Sequence, residues 1–300
     1  MNNWKKYITI ACLLLFIVAM NMSAGEINSV KKGKWNSPST WSGGVVPTSL
    51  DNVTISAIDT VTIDTTSIDA STTVECNNLT VLGVLKFSQY FSFNITIMGD
   101  LLINTGASFA INTSKTGTVL FQQMALYGNL TNKGLFDFKT GTAGSTQNIC
   151  HISFLGSEND TVTMNGGYST VNNEFGGVTI NKSGSGRVVL NSDMYLPSGS
   201  SSNPASVNPY LYFVRGKVET GQFALIHLWT TSTGVSGASD SSYVIGGMGR
   251  GMGNSAGASK DFYIGDENGF RPLKLRSTTS GNGTGNHAVV RVISGDANTG

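Results

Sequence analysis

A short motif recurs along this chain and leaves little choice of fold: a threonine flanked by two β-branched or aliphatic residues. It reads Val53-Thr54-Ile55, Val61-Thr62-Ile63, Leu79-Thr80-Val81, Ile95-Thr96-Ile97 and Val178-Thr179-Ile180. In an extended strand alternate side chains face opposite ways, so each copy offers two apolar groups to one side and a hydroxyl to the other. Gly, Asn, Asp and Ser punctuate the strands. After residue 25 no segment sustains the three-and-four apolar spacing of an amphipathic helix. The expectation is all-β.

How the strands associate is suggested by a loose repeat. LTVLGVLKF (79–87), ITIMGDLLI (95–103), MALYGNLTN (124–132) and ISFLGSEND (152–160) each place a glycine after a short apolar strand. Gly83, Gly99, Gly128 and Gly156 lie 16, 29 and 28 residues apart, a spacing expected of rungs separated by loops of unequal length. A single rung cannot bury its apolar side and is stabilised by stacking on its neighbours. These features predict a right-handed parallel β-helix over residues 26–235, with SGSSSNPASVNP (198–209) as an inserted loop. Residues 236–300 read as a glycine-rich hairpin followed by an incomplete all-β module.

The first 25 residues read as an export signal. Lys5-Lys6 precede a 13-residue apolar run, Ile8 to Met20, too short to span a bilayer comfortably. Ser23-Ala24-Gly25 supplies small residues for cleavage. The 19 basic residues lose Lys5 and Lys6 on processing, leaving 17 against 18 acids. A near-neutral chain with 12% charged residues carries no basic patch for nucleic acid. Localisation outside the cytoplasm, secreted or on the cell surface, is expected, with no membrane span after cleavage. Cys76 and Cys150 then remain, and two buried free thiols are expected rather than a disulfide.

The segment KWNSPSTWSGGVVPTSLDNVTI (34–55), with Trp35, Trp41, Gly43-Gly44, Pro47 and Asp51-Asn52, resembles the start of the G8-like β-helix modules of large secreted bacterial surface proteins of the Bacteroidetes type. Those proteins often end in a sorting domain. The stretches FLGSENDTVTMNGG, NNEFGGVTINKSGSGRVVLNSDMYL and LYFVRGKVETGQFALIHL are similar to their successive rungs. Phe262, Gly265, Asp266, Arg271, Pro272 and Leu273 match a strand pair that follows the helix in the same group. The resemblance implies an architecture, a compartment and partners among polysaccharides or other cell-surface proteins. It implies no reaction.

Candidate chemistry is thin. Gly253-Asn254-Ser255-Ala256-Gly257 spells G-x-S-x-G, with Asp261 or Asp266 and His287 following. The flanking residues, however, are not the strand and helix that such a nucleophile elbow needs. The same loop lacks both phosphate-binding fingerprints and reads as a hairpin tip. Asp59, Asp64 and Asp69 suit turn caps better than calcium ligands. Glu158 with Asp160, and Asp266 with Glu267, are nearby carboxylates whose convergence is undetermined. His151, His227 and His287 offer no metal spacing, so no metal, cofactor or catalytic residue is expected. Trp35 and Trp41 are the candidate ligand-binding residues, as a sugar-stacking platform, but capping of the first rung is the more economical reading, because a solenoid end must be covered. Asn52, Asn78, Asn94 and Asn129 open N-x-T triplets that chance explains in so Asn- and Thr-rich a chain. A non-catalytic structural or adhesive module is the expected function. A polysaccharide lyase or glycoside hydrolase would differ in gathering two carboxylates, or a carboxylate and a base, on one solenoid face.

Overall fold

The structure, a computed structural model, describes residues 25–64, 73–115, 117, 119–140, 147–165, 173–197, 210–230, 234–252, 257–277 and 287–293. These residues are all-β apart from two single 3₁₀ turns, Pro38–Thr40 and Ser42–Gly44. The strands stack as a β-solenoid of about 7 turns. Its first face runs Glu26–Asn28, Asn52–Ile55, Leu79–Val81, Leu101–Ile103, Leu130–Asn132, Asp160–Met164, Arg187–Leu190, Lys217–His227, Val244–Gly251 and Ile264–Asp266. The second runs from Gly33–Lys34 through Thr60–Ile63, Val84–Phe87, Ser108–Ala110 and Leu135–Asp137 to Asn173–Glu174. The third runs Thr73–Cys76, Asn94–Ile97, Leu120–Leu126, Asn148–Phe154, Gly177–Asn181, Leu211–Arg215 and Val235–Ser236.

Parallel register turns the apolar–Thr–apolar motif into a core. Ile27, Val53, Leu79, Leu101, Leu130 and Val162 align in one buried column. Val74, Ile95, Met124, Ile152, Val178, Leu211 and Val235 form another on the third face. Phe87, Phe109, Phe136, Phe138 and Phe175 fill the space behind the second face, with contacting ring centroids 4.2–6.1 Å apart. Each such side chain contributes about 1.5–3 kcal/mol by leaving water. Cys76 and Cys150 are free and buried. Cys76 aligns with Ile97, Leu126 and Phe154, so Cys150, on Phe154's strand, sits three rungs away. At ~4.8 Å per rung that is roughly 14 Å, beyond disulfide reach.

The glycine repeat mixes two corners of the coil. Gly99, Gly128 and Gly156 follow third-face strands, whereas Gly83 follows a first-face strand. Gly134 is the glycine that occupies the same kind of corner as Gly83. A Cβ on Gly83 would lie 2.2 Å from the Ser56 carbonyl oxygen, and one on Gly134 2.4 Å from those of Ala107 and Asn104. The backbone of one turn rests on that of the turn before, which is why these positions lack a side chain.

Across the boundary expected at 236, the first face continues into Val244–Gly251 and Ile264–Asp266 by parallel pairing. Residues 253–256 of the loop read as a hairpin tip lie outside the described residues, and the glycine-rich residues Val244–Gly251 form one long strand. Cβ atoms on Gly247 and Gly251 would lie 2.8 Å from the Phe223 oxygen and 2.1 Å from the Leu228 oxygen, so its glycines admit a closely packed neighbour. Antiparallel pairing joins Lys139–Thr140 to Asn148–Phe154 on the third face, and beyond the glycine-rich strand it joins His287–Arg291 to Val244–Gly251 and Ser259–Phe262 to Leu273–Arg276.

Candidate functional site

Trp35 and Trp41 are core residues, exposed by 0% and 2%. Their rings meet edge to face at 5.1 Å, and Trp41 Nε1 donates to the Trp35 carbonyl at 2.5 Å. Buried in this way, neither ring offers an exposed face on which a sugar could stack. They close the open apolar end of the first turns, because a solenoid end left bare would expose its core.

The other sequence candidates are also dispersed. Asp59 accepts a hydrogen bond from Ser29 Oγ at 2.6 Å, and Asp64 pairs with Lys34 at 3.0 Å. Asp69, Gly253 and Ser255 lie outside the described residues. Asp160 points inward and meets Lys182 Nζ at 2.5 Å, both side chains at most 3% exposed, while Glu158 is exposed. Asp266 pairs with Arg271, and Glu267 grips Arg187 through both carboxylate oxygens, at 2.6 and 2.8 Å. Among the described residues no three His, Cys, Asp or Glu side chains are grouped to hold a metal ion.

Three of the four N-x-T asparagines have a structural use. Asn52 Nδ2 donates to Glu26, and Asn52 Oδ1 accepts from Asn78 Nδ2 at 2.9 Å. Asn78 Oδ1 accepts from the Asp100 amide at 2.8 Å, Asp100 Oδ1 from Asn129 Nδ2 at 2.9 Å, and Asn129 Oδ1 from the Thr161 amide at 2.8 Å. This polar ladder stitches the corner before the first face. The following apolar and Thr residues then point in and out, so the N-x-T spelling is a by-product of corner geometry.

Residues 40–166 match the family model of the G8 domain. This chain carries a G8 domain. The match begins at Thr40, beside the Trp pair, and ends two residues past the strand Asp160–Met164. The G8 domain therefore occupies the first turns of the solenoid and is of an extracellular type. No curated protein and no solved structure matches the chain. Among the described residues no helix is long and apolar enough to cross a membrane.

Two features at the surface of the G8 domain were missed in the sequence. On the second face Asp137 and Glu174 are register neighbours on successive turns, and the Lys139 amide donates to Asp137 Oδ1 at 3.2 Å. Burial lifts the Asp137 carboxyl to about 6; the Lys139 amide opposes the shift and the Glu174 charge adds to it. Burial likewise raises Glu174 and lowers Lys139. Glu174 itself lies just past the family match. On the third face a shallow cavity of about 250 Å³ is lined by Asn94, Thr96, Gln123, Ala125, Ser153 and Leu155, among others. Residues 37 apart, or 29 apart, become neighbours only once the length of each turn is known, and no spacing rule signals them.

Proposed function

We propose that this protein is a secreted, non-catalytic structural and adhesive module, a stiff rod whose side faces contact glycans at the cell surface. One observation supports this above the rest: its acids are mostly consumed in holding turns together. Asp51, Asp59, Asp64, Asp100, Asp160, Asp266 and Glu267 are each bound to a corner amide, a hydroxyl or a cation of the chain itself. Such groups are poor donors of catalysis because their partners must be broken first.

A second reading, a carbohydrate-active enzyme, is favoured by the Asp137–Lys139–Glu174 group. Two carboxylates with perturbed affinities beside an amine are what general acid–base chemistry on a polysaccharide would use. A panel of polysaccharides incubated with the purified protein, scored for binding and for release of reducing ends or unsaturated products, separates the two. The structural reading expects binding without turnover. Turnover abolished by Asp137→Asn or Glu174→Gln would establish the enzyme instead.

A further inference from the structure

The geometry points to a binding track for a neutral polysaccharide along the third face of the solenoid, parallel to its axis. This inference rests on the glycan-contact reading and says where contact occurs. Two outward rows run side by side across the strands. One is Thr96, Ala125, Ser153, Thr179 and Tyr212, in register through five successive strands. The other is Asn94, Gln123 and His151, ending at Gly177. The first row is a floor of small residues, and the cavity opens over its beginning.

The second row is a wall of hydrogen-bonding groups. Asn94 and Gln123 are exposed, and among the described residues neither side-chain amide is engaged by another protein group. That distinguishes them from the corner amides of Asn52, Asn78 and Asn129, which are consumed by the ladder. His151 lies across Gly177, where a Cβ would come within 2.3 Å of the imidazole, and edge to face with Phe121 at 4.6 Å. The absent side chain at 177 lets the ring lie down and extend the wall at the height of the floor.

The occupant follows from charge and shape. Between Glu75 at one end and Arg215 at the other, both rows are neutral at pH 7, counting His151 as neutral. An anionic chain finds no cation there, and a peptide strand finds no free sheet edge, because these strands are paired on both sides. Amides and hydroxyls repeating at ~4.8 Å fit a polymer of hydroxyl-bearing rings laid across the strands. Tyr212, 41% exposed and tilted against Tyr210 at 6.1 Å, supplies an aromatic face at the end of the track for a ring to cover.

The test is titration of the purified protein by calorimetry with mixed-linkage β-glucan, galactomannan and dextran, against alginate and hyaluronan. At least one neutral polymer should bind, and both anionic polymers should bind weakly or not at all. Ala125→Arg, which blocks the floor, should abolish binding. Tyr212→Ala and the double variant Asn94→Ala/Gln123→Ala should each weaken it about tenfold, the scale of losing one anchoring contact. Far-ultraviolet dichroism matching the parent protein qualifies each variant, and the solvent-facing double variant serves if Ala125→Arg misfolds. Neutral-polymer binding that survives the folded variants undiminished overturns the track while leaving glycan contact standing. Preference for the anionic polymers also overturns it. Failure of every polysaccharide to bind removes the glycan-contact reading itself, and the track with it.

Discussion

At the scale of single residues, the charges that the fold hides are more informative than those it displays. Lys182 and Asp160 form an ion pair inside the solenoid, with side chains 0% and 3% exposed. Burial pushes the Asp160 carboxyl up even though Lys182 pulls it down, so desolvation is the larger effect. Removing one partner strands the other: Lys182→Met should cost about 3–5 kcal/mol in urea denaturation. Lys182→Met/Asp160→Asn should recover much of that loss, and a double variant as unstable as the single would sink the argument. Asp137 makes a pH-dependent prediction. Its folded value of about 6 lies above the ordinary 3.8, so its contribution is fully present below about pH 4 and lost as pH rises through 6. The two-unit difference corresponds to about 2–3 kcal/mol. Stability should therefore fall between pH 4 and 7, and Asp137→Asn should flatten that slope. Equal slopes in parent and variant would count against it.

At the scale of elements, strand identity was readable from the sequence and strand partnership was not. The alternation in Val53-Thr54-Ile55 and its copies sufficed to place core and surface, because a period of two has one physical meaning in an exposed-edge coil. Partnership depends on turn length, and turns vary: aligned residues Leu79 and Leu101 are 22 apart, whereas Leu101 and Leu130 are 29 apart. Reading Gly83, Gly99, Gly128 and Gly156 as one series therefore merged two corners. The same irregularity hid the third-face amides, since Asn94 is spelled like the corner residue Asn52 and differs only in where its turn places it. Corner contact also ranks the glycines. Gly134→Ala drives a methyl group into two backbone oxygens at 2.4 Å and should cost about 3 kcal/mol. Gly106 has φ +80° but open space around it, so Gly106→Ala should cost only about 1–2 kcal/mol. Thermal melts of the pair test the ranking, and equal losses would mean that conformation, not contact, selects glycine.

At the scale of the whole molecule, each turn touches chiefly its two neighbours, so stability spreads from turn to turn instead of residing in one shared centre. An end cap then matters most for the turns nearest to it. Trp35 and Trp41 cover one end, and Trp41→Ala would open a cavity beside Trp35 and remove the 2.5 Å hydrogen bond to its carbonyl, at about 3–5 kcal/mol. The two buried thiols report how far the damage travels. Cys76 lies on the first third-face strand and Cys150 three rungs further from the cap. Burial raises both thiol pKa values and shields both sulfurs, so labelling by iodoacetamide requires local opening. In the Trp41→Ala protein, labelling of Cys76 should accelerate at least tenfold more than that of Cys150, followed peptide by peptide in mass spectra under native conditions. The tenfold separation corresponds to about 1.4 kcal/mol of opening free energy, a modest fraction of the cavity cost. If both cysteines accelerated together, the solenoid would be opening as one cooperative unit and the nearest-neighbour account would fail. If only Cys76 responded, the capped end of the rod would behave as a separately frayable segment, with the turn that carries Cys150 keeping its register.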